Sequence, residues 1–103
     1  MTFTYDDGRP PFRHGRIILP DGSSEPMPEL EARSPARLKQ LQDAVGGYIE
    51  LISGHSLGGN LAMIVNEEGL LKGLEMNQIA SMLAGRIIVG PAVIVPMASL
   101  ENT

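Results

Sequence analysis

The stretch "GHSLGGNLAMIVNEEG", residues 54–69, decides the fold, because its first half has two readings. "GHSLGG" spells G-x-S-x-G, the nucleophile signature of serine esterases, with Ser56 in the nucleophile's place. A working elbow of that kind follows a strand and opens a helix, which forces the serine onto a strained turn. The residues after it here, "NLAMIVNEEG", carry the β-branched pair Ile64-Val65 and end in turn formers, the pattern of a strand. The hydrolase order also places the acid and the histidine downstream of the serine. The two histidines of this chain, His14 and His55, both precede Ser56, and His55 as its immediate neighbour is expected to point away from it. Gly54, Ser56, Gly58, Gly59 and Asn60 are therefore expected to form the small polar loop of a hairpin. An esterase using Ser56 is the remote alternative.

On either side of that loop the elements fall into order. Upstream, "YIELIS" alternates, so Tyr48–Ser53 is expected as a strand, paired with a second strand over Leu61–Asn66. Before it, Ser34 as N-cap and Pro35 at the first helical position open a helix that Gly46-Gly47 stops. Leu38, Leu41 and Val45 form its apolar face. "GRIILPDG" gives a first strand, Arg16 to Leu19, and "SSEPMPELEAR" is expected as a loop because of Pro26 and Pro28. Downstream, Glu67-Glu68-Gly69 is expected as a short hairpin loop in which Gly69 supplies a positive φ. Asn77 caps a second helix with Ile79, Met82 and Leu83 turned inward and Gly85 as its stop. "RIIVGPAVIV" closes the domain as one strand kinked at Gly90-Pro91, or as two, and Pro91 places it at a sheet edge or a bulge. The order β-α-β-β-α-β predicts an α+β fold: one small domain with a mostly antiparallel sheet and two helices packed on it. Residues 1–15 are read as an irregular arm, 16–98 as the domain and 99–103 as a tail.

The bulk numbers agree with one domain and narrow its partners. The chain has 103 residues, 43% of them hydrophobic and 19% charged, the composition of a soluble globular protein with one core. With 4% aromatics and no Trp, that core is built from aliphatic residues and some of the 6 Met, an adaptable packing compatible with a partner subunit. There is no cysteine, which removes disulfides and thiolate metal sites. A net charge of −4 argues against a nucleic-acid binder and is too mild for a DNA mimic. "MTFTYDDGRP" has no basic segment followed by an apolar one, so no signal peptide is expected and a cytosolic location is. The longest apolar run, broken by Gly90, Pro91 and Pro96, is too short to span a bilayer.

"VGGYIELI", "MIVNEEGLLKGLEMNQIASML" and "IIVGPAVIV", in that order, resemble an uncharacterised domain family of phages and bacterial mobile elements. The shared features are a GGYIE box, an NEEG box, a downstream Asn opening a helix, and a closing I-V-G strand, over about Leu38 to Val95. The chain departs from the pattern in its N-terminal arm and after Gly90, where Pro91 replaces the acidic residue often found there. The resemblance implies a small accessory protein of a phage or plasmid genome and supplies no mechanism.

Candidate ligand-binding residues are Arg13, His14, Arg16, Tyr48, Asn66, Glu67 and Asn77. Arg9, Arg13, His14 and Arg16 form a basic cluster able to meet a phosphate, Arg in bidentate fashion. Asn66 and Glu67 at the NEEG turn are candidates for reading a polar ligand edge; the competing reading has Asn66 bonding the turn backbone. Asn77 is first a helix cap, and the same helix start is a candidate anion site. Glu50, His55, Glu67 and Glu68 show no metal-ligand spacing, and the adjacent Glu67 and Glu68 splay apart rather than converge on one bond, so neither a metal nor a catalytic pair is expected. No cofactor is expected. The leading expectation is a non-enzymatic binding protein that sequesters a nucleotide-type host immune signal. The alternative is a protein–protein inhibitor of a host enzyme that uses "RIIVGPAVIV" as an exposed edge strand, and in both cases a homodimer through that strand, or a higher homo-oligomer, is expected.

Overall fold

In the strands that became central, apolar residues occupy consecutive positions rather than alternate ones. Leu61-Ala62-Met63-Ile64-Val65 and Ala92-Val93-Ile94-Val95 place hydrophobic side chains on both faces of a sheet, so both faces have to be covered. The computed structural model, which describes residues 15–28, 30, 35–52 and 60–100, shows how this is done. Five strands, β1 (Arg16–Ile18), β2 (Ser24–Pro26), β3 (Ile49–Ile52), β4 (Leu61–Asn66) and β5 (Ala92–Pro96), form one antiparallel sheet in the order β2-β1-β5-β4-β3. Helix α1 (Pro35–Val45) covers one face and helix α2 (Gln78–Ala84) the other.

The two cores are separated by the pleat. Ile17, Ala62, Ile64, Val93 and Val95 pack with Leu41 and Val45 of α1. Their neighbours Ile18, Met63, Val65, Ala92 and Ile94 pack with Ile52, Ile88 and Ala80 of α2. Chain connectivity makes α1 span the sheet, since it leaves one edge at β2 and delivers the chain to the other at β3.

The α+β fold stands, with the order β-β-α-β-β-α-β: a strand was missing from the sequence reading. Ser24–Pro26, expected as loop, pairs with β1 as an edge strand. The Met27 amide donates to the Gly15 carbonyl at 3.2 Å, so alternation puts the Arg16–Pro26 pair in a non-hydrogen-bonded position. The amide that Pro26 lacks would have faced away from β1, and the ladder loses nothing.

Further expectations are corrected. β5 is the middle strand, paired on both sides, because the chain turns at Gly90 (φ 77) and Pro91 before the strand begins; the residue before the turn, Val89, forms only a single bridge with Met76. The turn after β4 is not a hairpin: β4 pairs with β3 and β5, and residues 67–73 coil through helical turns in which Lys72 N–H donates to Glu68 O and Leu74 N–H to Gly69 O. Gly69 has no positive φ; Gly73 does (φ 68), and Gly69 is needed because a Cβ there would lie 2.7 Å from Val89 Cγ2. Helix α2 turns Ala80 and Ala84 inward and leaves Ile79, Met82 and Leu83 exposed. Polar anchors set that rotation: the Asn77 side chain holds the Ala80 amide, and Ser81 Oγ bonds the Asn77 and Ile88 carbonyls and the Ile88 amide. On α1, Leu41 and Val45 are buried as expected, but Leu38 stays 46% exposed, beside Leu51 of edge strand β3. Among the described residues no helix is long and apolar enough to cross a membrane.

Candidate functional site

The two sequence boxes, some twenty residues apart, fold into one corner. Helix α1 ends at Gly46 (φ 82), whose amide donates to Gln42 O at 2.8 Å, and Gly47 then passes so close to Asn66 and Lys72 that a Cβ would lie 2.9 Å and 2.8 Å from their side-chain nitrogens. Asn66 is 5% exposed. Its Nδ2 donates to the last helical carbonyl, Val45 O, at 3.1 Å, and its Oδ1 accepts from Glu68 N–H at 2.8 Å. The Glu67 amide donates to Tyr48 O at 2.8 Å, continuing the β3–β4 ladder. Asn66 thus bonds the turn and the helix end, the structural role weighed in the sequence. Around this corner lies an open cleft of about 370 Å³ with the exposed Tyr48 ring, Gln42, Asp43, Glu68 and Lys72 on its walls.

Asn77 is fully buried. Its Nδ2 donates to Ile18 O and Gly90 O, both at 2.9 Å, and its Oδ1 accepts from Ala80 N–H at 3.0 Å. The expectation that Asn77 binds a ligand is therefore corrected. Its polar atoms tie β1, the Gly90 turn and α2 together, and no surface of it is left for a solute. The candidate anion site at the start of α2 is corrected with it, since Asn77 itself occupies the cap and the helix has only 7 residues.

A second cleft, of about 330 Å³, opens on the α2 side between the turn after β4 and residues 86–89. Leu70, Leu71 and Ile87 line it at 74%, 88% and 66% exposure, and Glu50, Glu67, Glu68 and Arg86 supply its polar lining. Arg86 stands 3.7 Å from Glu50, and Glu68 stands 3.8 Å from Lys72; these partly exposed pairs are long and contribute little. These apolar residues were not among the sequence candidates. The available sign was two leucines between Gly69 and Gly73, in a coil too short to bury them.

The remaining candidates do not join this group. Arg16 bonds Ser24 Oγ at 3.0 and 3.3 Å across the β1–β2 pair. Register places it two strands and three residues from Asn66, ~14 Å by ordinary sheet spacings. Arg13 and His14 lie outside the described residues, as do Arg9, Ser34, His55 and Ser56. The segment from Leu61 onward is a strand paired with β3, where an esterase elbow requires a helix. Among the described residues no group of acidic or histidine side chains could hold a metal ion. One carboxyl is shifted: the Ser23 hydroxyl (2.6 Å) and then the Ser23 amide (2.8 Å) hold Asp21 below the usual carboxylate range.

No curated protein and no solved structure matches the chain. The model of one family, Domain of unknown function (DUF3846), matches residues 15–102. That span takes in every strand and both helices described above, and the chain belongs to this DUF3846 family.

Proposed function

We propose that this chain is a non-enzymatic accessory protein of a phage or mobile element that acts by holding another protein against its α2 side. One observation carries the reading. Of the ten large hydrophobic residues exposed among the described residues, seven (Leu70, Leu71, Met76, Ile79, Met82, Leu83 and Ile87) fall in the single connection between β4 and β5. Three of them, Leu70, Leu71 and Ile87, line one cleft, and exposed apolar side chains gathered in this way mark a place where another surface sits. The interaction does not run through "RIIVGPAVIV", whose core residues form the central strand. A photo-crosslinking residue placed at position 71 and expressed in the host tests it: a discrete protein adduct supports the reading if it is absent with the crosslinker at Lys39. No adduct at 71, or the same adducts at both positions, refutes it.

Sequestration of a nucleotide-type signal is the second reading, supported by the Tyr48 cleft. The exposed ring offers a stacking surface, Gln42 and Asp43 hydrogen-bonding groups, and Lys72 a cation for phosphate. Against it, Asp43 and Glu68 outnumber that one lysine. A thermal-shift panel of cyclic and ADP-ribose-type nucleotides tests it, and a stabilisation that Tyr48→Ala removes would support it over the first.

A further inference from the structure

Resting on the reading that the α2 side holds a protein, we infer that the segment entering the Leu70–Leu71–Ile87 cleft is cationic and amphipathic, an apolar side chain flanked by Lys or Arg. The apolar part follows from the walls, because Leu70, Leu71 and Ile87 converge on one cleft with most of their surface in water. The charge follows from the rim. Three acidic residues, Glu50, Glu67 and Glu68, line the cleft with one guanidinium, Arg86; Glu50 stands within ion-pair reach of Arg86 and Glu68 of Lys72, so Glu67 is the negative charge left over among the described residues.

The two pairs are long and partly exposed, and they leave the rim net negative. Arg86 reaches Glu50 only at 3.7 Å, and Lys72, outside the cleft, reaches Glu68 only at 3.8 Å. Glu67, whose amide donates to Tyr48 O at the end of the β3–β4 ladder, is exposed and makes no ion pair among the described residues. An ammonium or guanidinium at this rim gains charge-assisted hydrogen bonds, whereas an acidic segment meets repulsion as its carboxylates lose water. The same sign disfavours the other occupants. Nucleic acid and anionic lipid carry the charge of the rim.

Fluorescence anisotropy with three labelled twelve-residue peptides tests the inference: Leu alternating with Lys, with Ser, or with Glu. The Lys/Leu peptide is expected to bind at least tenfold tighter than Ser/Leu, and Glu/Leu not at all. Leu71→Ser should weaken the Lys/Leu peptide about tenfold. Glu67→Lys should abolish the preference for Lys, while Glu25→Lys, an equal change of charge on β2 at the far edge of the sheet, should leave it. Equal binding of Lys/Leu and Ser/Leu, both weakened by Leu71→Ser, would overturn the inference and leave the protein-docking reading standing. Equal loss from Glu67→Lys and Glu25→Lys would reduce the effect to diffuse attraction and overturn it as well. If no peptide binds, the inference falls, and the crosslink at position 71 decides the broader reading by itself.

Discussion

Replacing Asn77 by alanine removes three buried hydrogen bonds and leaves three backbone groups facing the vacated space: Ile18 O, Gly90 O and Ala80 N–H. A buried polar group stripped of its partner costs ~1–3 kcal/mol, and the lost N-cap is itself worth ~1 kcal/mol. The cap bond is one of the three, so the terms overlap and the expected loss is about 3–5 kcal/mol. A chain of this size has roughly 5–15 kcal/mol in total, so the variant folds marginally. Urea unfolding followed by far-UV circular dichroism measures the loss directly. Asn77→Ser separates the contributions: a hydroxyl can still accept from Ala80 N–H but cannot reach both carbonyls, so it should recover about 1 kcal/mol of the deficit. Asn77→Asp adds a dependence on pH. Its carboxylate would be buried against two carbonyl oxygens, which raises its folded pKa above the unfolded value of about 3.9. The native state then binds the extra proton between those two values, so stability is greatest in acid and falls as pH rises through that window. A loss below ~1 kcal/mol for Asn77→Ala, or an Asn77→Asp variant indifferent to pH, would refute the assignment of Asn77 as the tie between the sheet and α2.

Other expected outcomes follow from the glycines, the β1–β2 turn and the serine loop. Gly69→Ala brings a Cβ to 2.7 Å from Val89 Cγ2 and should cost ~1–3 kcal/mol through displaced packing. Gly73→Ala meets nothing within 4 Å and should cost only the ~1 kcal/mol of its left-handed backbone; equal losses for the two in chemical denaturation would show that the Val89 contact is not tight. Ser23→Ala should return the Asp21 carboxyl toward its ordinary range in a carbon-detected NMR titration. Because Asp21 titrates low in the fold, its support for the turn is present above the ordinary carboxylate range and lost as pH falls through the folded value; an unchanged titration in Ser23→Ala would remove that account. Wild-type protein should hydrolyse an activated ester no faster than Ser56→Ala, and a difference between them would revive the esterase.

The sequence by itself determined most of the local elements, though not β2 or the coil over residues 67–73. Pro35, Gly46 and Gly85 bound the helices, Asn77 caps the second, and the apolar run Leu61–Val65 with its β-branched pair Ile64-Val65 makes β4 extended. Each of these rests on a few consecutive residues whose backbone preferences act before the chain has any tertiary neighbours. What the sequence did not reveal is which strand lies where. A strand such as Ala92–Pro96, apolar at successive positions, has no side that faces water, and that pattern reads as an edge, a bulge or a buried middle until its partners are known. Helix α2 shows the same limit: Ile79, Met82 and Leu83 keep helical spacing as faithfully as Ala80 and Ala84. The choice between the two faces was made by hydrogen bonds from Asn77 and Ser81 to residues as far away as Ile18. The candidate site is a product of that choice, since turning the small residues inward leaves the large ones to water.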